Sequence, residues 1–415
     1  MKLQRRDVLK GMLGGASAAA LGAPAVHAQA AAAKIGLLTV KTGPLAQGGF
    51  QMEQGIASFL REKNNTLAGR KVELITADTG GAPAGTLNKA RELIERDGVD
   101  VILGPLAAFE LLAITAYVRD KTTPVITLAA AEDVTQRAAN PWVVRPSSSS
   151  GQTPHVMADY AAKELKLKTM ATMANDFAFG HEQCAAFQRV FEEQGGKVVK
   201  KLWPPLNTSD YLPYISQLTD IDGWFNGFGG GIPVRVGRSL ADLGLAKKIV
   251  TTGGSTNMDD ALLKSMGDEA VGVYSAAWYT PDFKSASNER FVADMQKTYS
   301  EVPGSYAAAM YTGGQVIEAV MQKTGGKTDN KEAFRDAMHA VSLPDTPRGP
   351  LRFDKYGQAV GPVFIRKCER RDGKLVNVTL KTYPDVSQFW TYDEAAFLAQ
   401  PVYSRDYPPA KNLRP

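Results

Sequence analysis

A chain of 415 residues with 44% hydrophobic and 22% charged residues is long enough for two packed cores and too apolar to be disordered. The formal net charge is only +5, and no basic stripe with interleaved aromatics accompanies it, which excludes nucleic acid as an expected partner. Beyond the first thirty residues no stretch approaches the roughly eighteen apolar residues of a membrane span.

The N-terminal stretch reads as an address. Arg5-Arg6 precedes Asp7-Val8-Leu9-Lys10, a Gly/Ala-rich apolar run from Gly11 to Val26, and the small residues of Val26-His27-Ala28. This order predicts a twin-arginine-like signal peptide over residues 1–28 and a periplasmic mature protein. A general secretory signal with an accidental arginine pair is the alternative. Lys2, Arg5, Arg6 and Lys10 against Asp7 supply +3 of the formal charge, so the rest of the chain is close to neutral. The two cysteines, Cys184 and Cys368, could bridge in an oxidising compartment or stay as two buried thiols.

From Lys34 the pattern alternates strand and helix. Lys34–Val40 is an apolar strand, Thr42-Gly43-Pro44 a turn, and 49–64 a helix with Met52, Ile56, Phe59 and Leu60 on one face. A strand over 71–76, a helix over 83–96 and a strand over 100–103 follow. At Gly104-Pro105 that strand breaks into a helical pattern carrying Leu111, Leu112, Ile114 and Val118. The strand Pro124–Leu128 completes a βαβαβαβ series, which demands right-handed crossovers and a parallel sheet covered on both faces.

The rhythm pauses over 129–151, ending in Pro146-Ser147-Ser148-Ser149-Ser150-Gly151, which reads as a connector between lobes. A second series has strands at 169–173, 197–203, 223–226, 249–252 and 271–274. Its helices fall at 156–165, 181–194, 211–218 and 234–243. Helices over 288–299, 306–323 and 331–341 come next. A hairpin then pairs 362–369 with 374–382 across Arg371-Asp372-Gly373. The tail from 386 is rich in aromatics and prolines and is expected to wrap a surface.

Several motifs in this order resemble one family. They are Ile35-Gly36-Leu37 with Thr42-Gly43-Pro44-Leu45, Asp78, Asp97–Pro105, Asp176-Phe177-Ala178-Phe179-Gly180 and Gly349–Gln358. Together they resemble the periplasmic substrate-binding proteins of ABC importers, of the branched-chain amino acid (Leu/Ile/Val-binding) type. The resemblance implies an α/β fold of two doubly wound parallel-sheet lobes, the type I periplasmic or Venus-flytrap fold, joined by a three-segment hinge. The lobes would hold 34–147 plus 280–348 and 148–279 plus 349–385, with 386–415 as an extension. Crossings would lie near 145–148, 278–281 and 348–351. The resemblance also implies a small-molecule ligand, ABC permease membrane subunits as partners, a monomer, and neither cofactor nor metal.

In that family the strand-to-helix loop and hydroxyl side chains hold a ligand carboxylate, and an acid from the other lobe holds the ammonium. Here the hydroxyl positions fall on Ala108 and about Ala131, and the acid position near Gly254-Ser255. All three groups are missing, and a buried ammonium without a counter-charge is costly. A shifted alignment would bring in Glu110, Glu132 or Asp133. Aromatics stand in their place: Phe109, Phe179, Phe228, Trp278, Tyr279 and Tyr311. The segment Gly195–Pro204 resembles the branch of the family that binds aromatic carboxylates.

The candidate ligand contacts are Ala107, Ala108 and Phe109 at the strand–helix turn, Ala130 and Ala131 after the next strand, and Ser148 and Ser149 in the connector. From the second lobe come Phe179, Phe228, Gly229 and Ser255, and from a late helix Tyr311. The expected ligand is a small carboxylate, aromatic or hydrophobic, with a branched-chain amino acid or an amide as the alternative. An exported sensor is the alternative role. A hydrolase or dehydrogenase would need a nucleophile or a cofactor loop. The Gly43–Gly49 turn lacks both phosphate-loop and dinucleotide spacing, and neither GxSxG nor SxxK occurs. His155, His181 and His339 lack zinc spacing and read as surface or capping residues.

Overall fold

The computed structural model describes residues 31–414; the expected signal peptide, 1–28, lies outside the described residues. The first series runs β1 (Ala33–Thr39), α1 (Ala46–Glu62), β2 (Thr66–Leu67), β3 (Arg70–Asp78), α2 (Pro83–Arg91), β4 (Val101–Leu103), α3 (Ala108–Asp120), β5 (Val125–Ile126) and β6 (Val143–Val144). These strands form a six-stranded sheet, β2-β3-β1-β4-β5-β6, parallel except for β2 against β3. Near-continuous apolar runs such as Val101-Ile102-Leu103 suit a strand buried on both faces.

The second series runs α4 (Gln152–Lys163), β7 (Thr169–Met173), α5 (Ala178–Glu193), β8 (Lys197–Leu202), α6 (Leu212–Ile215), β9 (Gly223–Asn226), α7 (Ile232–Asp242), β10 (Val250–Gly253) and β11 (Tyr274–Ala277). The chain then returns to the first lobe through α8 (Ala286–Tyr299), α9 (Ser305–Lys323) and α10 (Lys331–His339). Residues of α8, α9 and α10 share a core with β1, β4 and α1. β12 (Ser342–Leu343), β13 (Leu351–Phe353), β14 (Ala359–Arg371), β15 (Lys374–Val386) and α11 (Glu394–Leu398) complete the chain. The second sheet runs β12-β13-β14-β11-β10-β9-β7-β8, with β15 on β14. It is parallel from β8 to β11 and antiparallel where the hairpin joins.

The chain therefore passes between the sheets three times: after β6, after β11, and between α10 and β14. Each sheet carries apolar side chains on both faces, which makes four separate cores. At the first pass the backbone of Arg145 is threaded between its neighbours. Its amide donates to Gly357 O (2.8 Å) and its carbonyl accepts from Ala359 N (3.0 Å).

Two local expectations are corrected, and the open question of the cysteines is answered. Strand β11 begins at Tyr274, where the expected 271–274 strand ends. Val271 and Gly272 form a turn instead, with Gly272 at φ +90° and its amide bound to Cys368 O. His155 is neither surface nor cap: it is fully buried on α4, and burial drives its pKa down to about 3. The two cysteines are free buried thiols in different cores. The tail packs Phe389, Phe397 and Tyr403 on Ala185 and Ala186 of α5.

Candidate functional site

In an open parallel sheet, ligands gather at the carboxyl ends of strands where the strand order reverses. The first sheet reverses between β1 and β4, the second between β7 and β9. A cleft lies between these two points. Its wall includes Leu45 after β1, Leu106–Ala108 after β4, Asn175 and Phe177 after β7, and Gly227 and Gly229 after β9. Leu128, Ala130, Ser147, Ser148, Phe179, Ser255, Thr256, Trp278, Ser305 and Tyr306 complete it.

The turn from β4 into α3 is built for close approach. Gly104 has φ +92°, and a Cβ there would meet Leu38 O at 2.2 Å, so only glycine fits. Glu110 folds back from the first turn of α3 and accepts from Ala107 N (2.8 Å), Thr79 Oγ1 and Thr86 Oγ1 (3.2 Å). Burial pushes the Glu110 pKa up, and the three donors oppose that shift. The next two amides, of Ala108 and Phe109, find no acceptor among the described residues. Ser147, also on the cleft wall, has a buried and unpartnered Oγ.

Helix ends dominate the electrostatics. Leu45, Ala107 and Phe177 are the N-caps of α1, α3 and α5, and Ser305 opens α9. Each points a partial positive charge towards the cleft, but the Ser305 amide of α9 is taken by Asp259 and the first amides of α1 by loop carbonyls, so the free N–H groups are those at the starts of α3 and α5. Among the described residues no Asp, Glu, Lys, Arg or His lines it. The three acids that a shifted alignment would offer are engaged elsewhere. Glu110 caps α3. Glu132 accepts from Ser149 Oγ (2.8 Å), Gly151 N (2.7 Å) and Gln136 Nε2 (2.7 Å). Asp133 pairs with Arg137 (3.1 Å).

Of the residues expected to meet a ligand, the fold brings Ala107, Ala108, Ala130, Ser148, Phe179, Gly229 and Ser255 to the cleft wall. Five others lie off it. Phe109 stands behind the wall, edge-on to Phe177 across the lobes (5.4 Å, 71°). Ala131 is in the core under the first sheet, and its carbonyl accepts from Arg145 Nη2 (2.6 Å). Ser149 turns to Glu132. Phe228 is fully buried against Tyr211.

Tyr311 donates to Glu62 and packs between Phe59 and Phe291. The cleft meets the first turn of α9, and Tyr311 lies five residues beyond Tyr306, about 7.5 Å deeper and on another face. Tyr279, named among the aromatics, is likewise buried, with its hydroxyl on Asn288 Oδ1 (3.1 Å). Sequence reasoning passed over Asn175, Phe177, Ser305 and Tyr306. The strand-end rule applied to β7 points to the first two; nothing local marks the others.

The lobes touch across the cleft. Tyr306 Oη accepts from Gly230 N (3.1 Å), and Gly231 N donates to Pro44 O (3.3 Å). Asp259, from the loop after β10, accepts from Ser305 N (2.7 Å), Ser305 Oγ (2.6 Å) and Gln51 Nε2 (3.1 Å). The arrangement is a clamp: two rigid sheets, three linking segments, and a cleft whose walls meet only when closed.

These features define a two-lobed solute-binding protein of the type I periplasmic fold rather than an enzyme. The chain belongs to the periplasmic binding protein family, whose model matches residues 32–374. It is 28% identical over 387 residues to Leu/Ile/Val-binding protein homolog 6 of Brucella melitensis biotype 1, covering 88% of this chain and 96% of the relative. A solute-binding protein of an ABC transporter from Rhodopseudomonas palustris BisB5, solved with 3,4-dihydroxybenzoic acid, is similar with a TM-score of 0.82. It is 32% identical and covers 86% of this chain and 98% of its own. One from R. palustris HaA2, solved with p-hydroxybenzoic acid, has a TM-score of 0.81 at 26% identity, over 86% and 98%.

Proposed function

We propose that this protein is the solute-binding subunit of an ABC importer and that its ligand is a small aromatic carboxylate. The observation that carries the reading is the cleft wall itself. Among the described residues it holds no Asp, Glu, Lys, Arg or His side chain, yet it carries the unpaired Ala108 amide at the start of α3 and the unpartnered Ser147 hydroxyl. Phe177, Phe179, Trp278 and Tyr306 supply flat apolar surface around them. A carboxylate fits the first group and a ring the second. The α-ammonium of leucine would find no anion. The benzoates held by the two R. palustris relatives support the same class.

Closure is the transport signal: a ligand touching both lobes binds the closed form better and shifts the population towards it. The permease subunits then receive the closed, loaded protein. We place the lobes at 34–147 with 280–348 and 148–279 with 349–385. We read residues 1–28 as an export signal and the mature protein as a periplasmic monomer.

Thermal unfolding tests the ligand class. Benzoate and 4-hydroxybenzoate at about a hundred times Kd should add about 2.7 kcal/mol to stability, while leucine at equal concentration adds little. Stabilisation by leucine alone would sink the aromatic reading.

A further inference from the structure

Among the described residues three arginines are buried to within 1% exposure: Arg145, Arg348 and Arg366. Two have acids to balance them. Arg366 pairs with Asp260 at 2.6 Å, and Arg145 lies in the field of Glu132, Glu182 and Asp354. Arg348 has none. Among the described residues no carboxylate pairs with it, and its Nε is buried without a partner. Its remaining contacts are neutral. Nη1 donates to Pro146 O at 2.6 Å, and the guanidinium lies over the Trp278 ring, 5.0 Å from the centroid. Burial lowers its pKa to about 9, so it keeps its charge at neutral pH.

Its position gives that charge a use. Arg348 lies on the third passage between the sheets, Pro146 on the first, and Trp278 at the start of the second, directly after β11. Trp278 lines the cleft, and so does Ser147, the residue after Pro146. The guanidinium therefore sits one side chain behind the wall, against Trp278 and bonded to the carbonyl that precedes Ser147. An unbalanced buried cation is costly to a protein unless an anion arrives to offset it.

We propose that Arg348 is the counter-charge of the ligand: it acts through Trp278 and the Pro146-Ser147 backbone, without touching the ligand, and makes the closed cleft select an anion over a neutral molecule of the same shape. This rests on the aromatic-carboxylate reading and names the residue that sets its charge selectivity. It also explains how a wall without a cation can favour an anion. Arginine suits the place because it stacks on an indole and holds its proton when desolvated.

The test compares benzoate with benzamide, its neutral near-isostere, by calorimetry on the mature chain at pH 6. Wild type should prefer benzoate. Arg348→Gln should lose benzoate affinity by roughly ten- to thirty-fold, the scale of one unit charge a side chain away at an effective dielectric of about 20. Its benzamide affinity should change less than about three-fold. Arg348→Lys keeps the charge and should keep most of the preference, and it decides the matter if the glutamine variant does not fold. Equal loss of both ligands in Arg348→Gln, or loss of the preference in a folded Arg348→Lys, overturns the proposal. Wild type that binds neither ligand overturns the aromatic reading and this one with it; wild type that prefers benzoate, with the ratio unchanged in Arg348→Gln, overturns this one alone.

Discussion

Asp259 caps a helix that belongs to the other lobe. Its carboxylate accepts from the amide of Ser305 at 2.7 Å and from its hydroxyl at 2.6 Å, at the first turn of α9. These bonds exist only while the lobes are together. Charge-assisted hydrogen bonds of this kind contribute about 1.5–3 kcal/mol. Asp259→Asn should therefore weaken ligand binding about ten-fold, because it destabilises the closed form and leaves the ligand contacts intact. Calorimetry gives the affinity, and small-angle scattering should show a larger radius at equal ligand occupancy. An unchanged affinity would mean that Asp259 serves only its own loop, where it also accepts from Ala261 N.

Gly230 should be intolerant of any side chain for two reasons, a local one in its left-handed backbone and a larger one that acts on closure. It has φ +60°, and a Cβ there would meet Pro44 O of the other lobe at 2.7 Å. Its amide donates to Tyr306 Oη. Gly230→Val is expected to lose ligand binding by at least about 100-fold, while its unfolding temperature without ligand falls by only a few degrees. Tyr306→Phe keeps the ring and orphans the Gly230 amide, and should lose about 1–2 kcal/mol of binding by titration.

Glu132 and Glu182 give stability a pH dependence. Glu182, on α5, accepts from Glu132 N at 3.3–3.4 Å, and Arg145, Ser149, Gly151 and Gln136 surround the pair. Burial raises both pKa values, and for Glu182 the Glu132 charge adds to the rise. A carboxyl raised above its unfolded value of 4.5 binds its proton more tightly in the folded state. Stability from this source is thus full below pH 4.5 and falls as pH climbs from there through the folded pKa. Glu182→Gln should remove that slope. Subtracting its unfolding free energy from that of wild type across pH 4–8 should show a gap that widens with pH. A flat difference would refute the assignment.

Truncation after Val386 should destabilise the chain by roughly 3–5 kcal/mol in urea unfolding. It removes the buried side chains of Phe389, Phe397 and Tyr403, each worth about 1.5–3 kcal/mol less losses from the unfolded state. It also removes the Tyr403 hydroxyl from His155 Nε2 (2.9 Å) and the Trp390, Tyr392 and Phe397 rings that pack around that imidazole. A truncated chain as stable as the full one would mean that the tail only rests on the surface.

Both thiols should resist a thiol reagent until the chain unfolds, and reduction should not change the mass. Burial raises each pKa to about 12, so almost no thiolate exists at pH 8. Rapid labelling of the native protein would contradict their burial.

What the sequence determined by itself was local. Alternating apolar runs and helical faces, broken by glycine and proline, disclose the strands, the helices and the two lobes, because φ/ψ preference and hydrophobic period act over a few residues. Gly104-Pro105 marks the turn into α3 for the same reason, and Ala107 and Ala108 follow from it. Tertiary structure alone decided which aromatics face the ligand. Tyr306 and Tyr311 are equally plausible in a helical pattern; the phase of α9 against a loop seventy-odd positions away selects the first. Phe177 and Phe228 are similar in sequence, yet one meets the cleft and the other a core. The charges were hidden for a stronger reason. Gln51 meets Asp259 across 208 positions and Arg348 meets Pro146 across 202. No local preference encodes such a pair; it forms when two sheets, each folded by its own cores, are brought together at the carboxyl ends of their strands by three links.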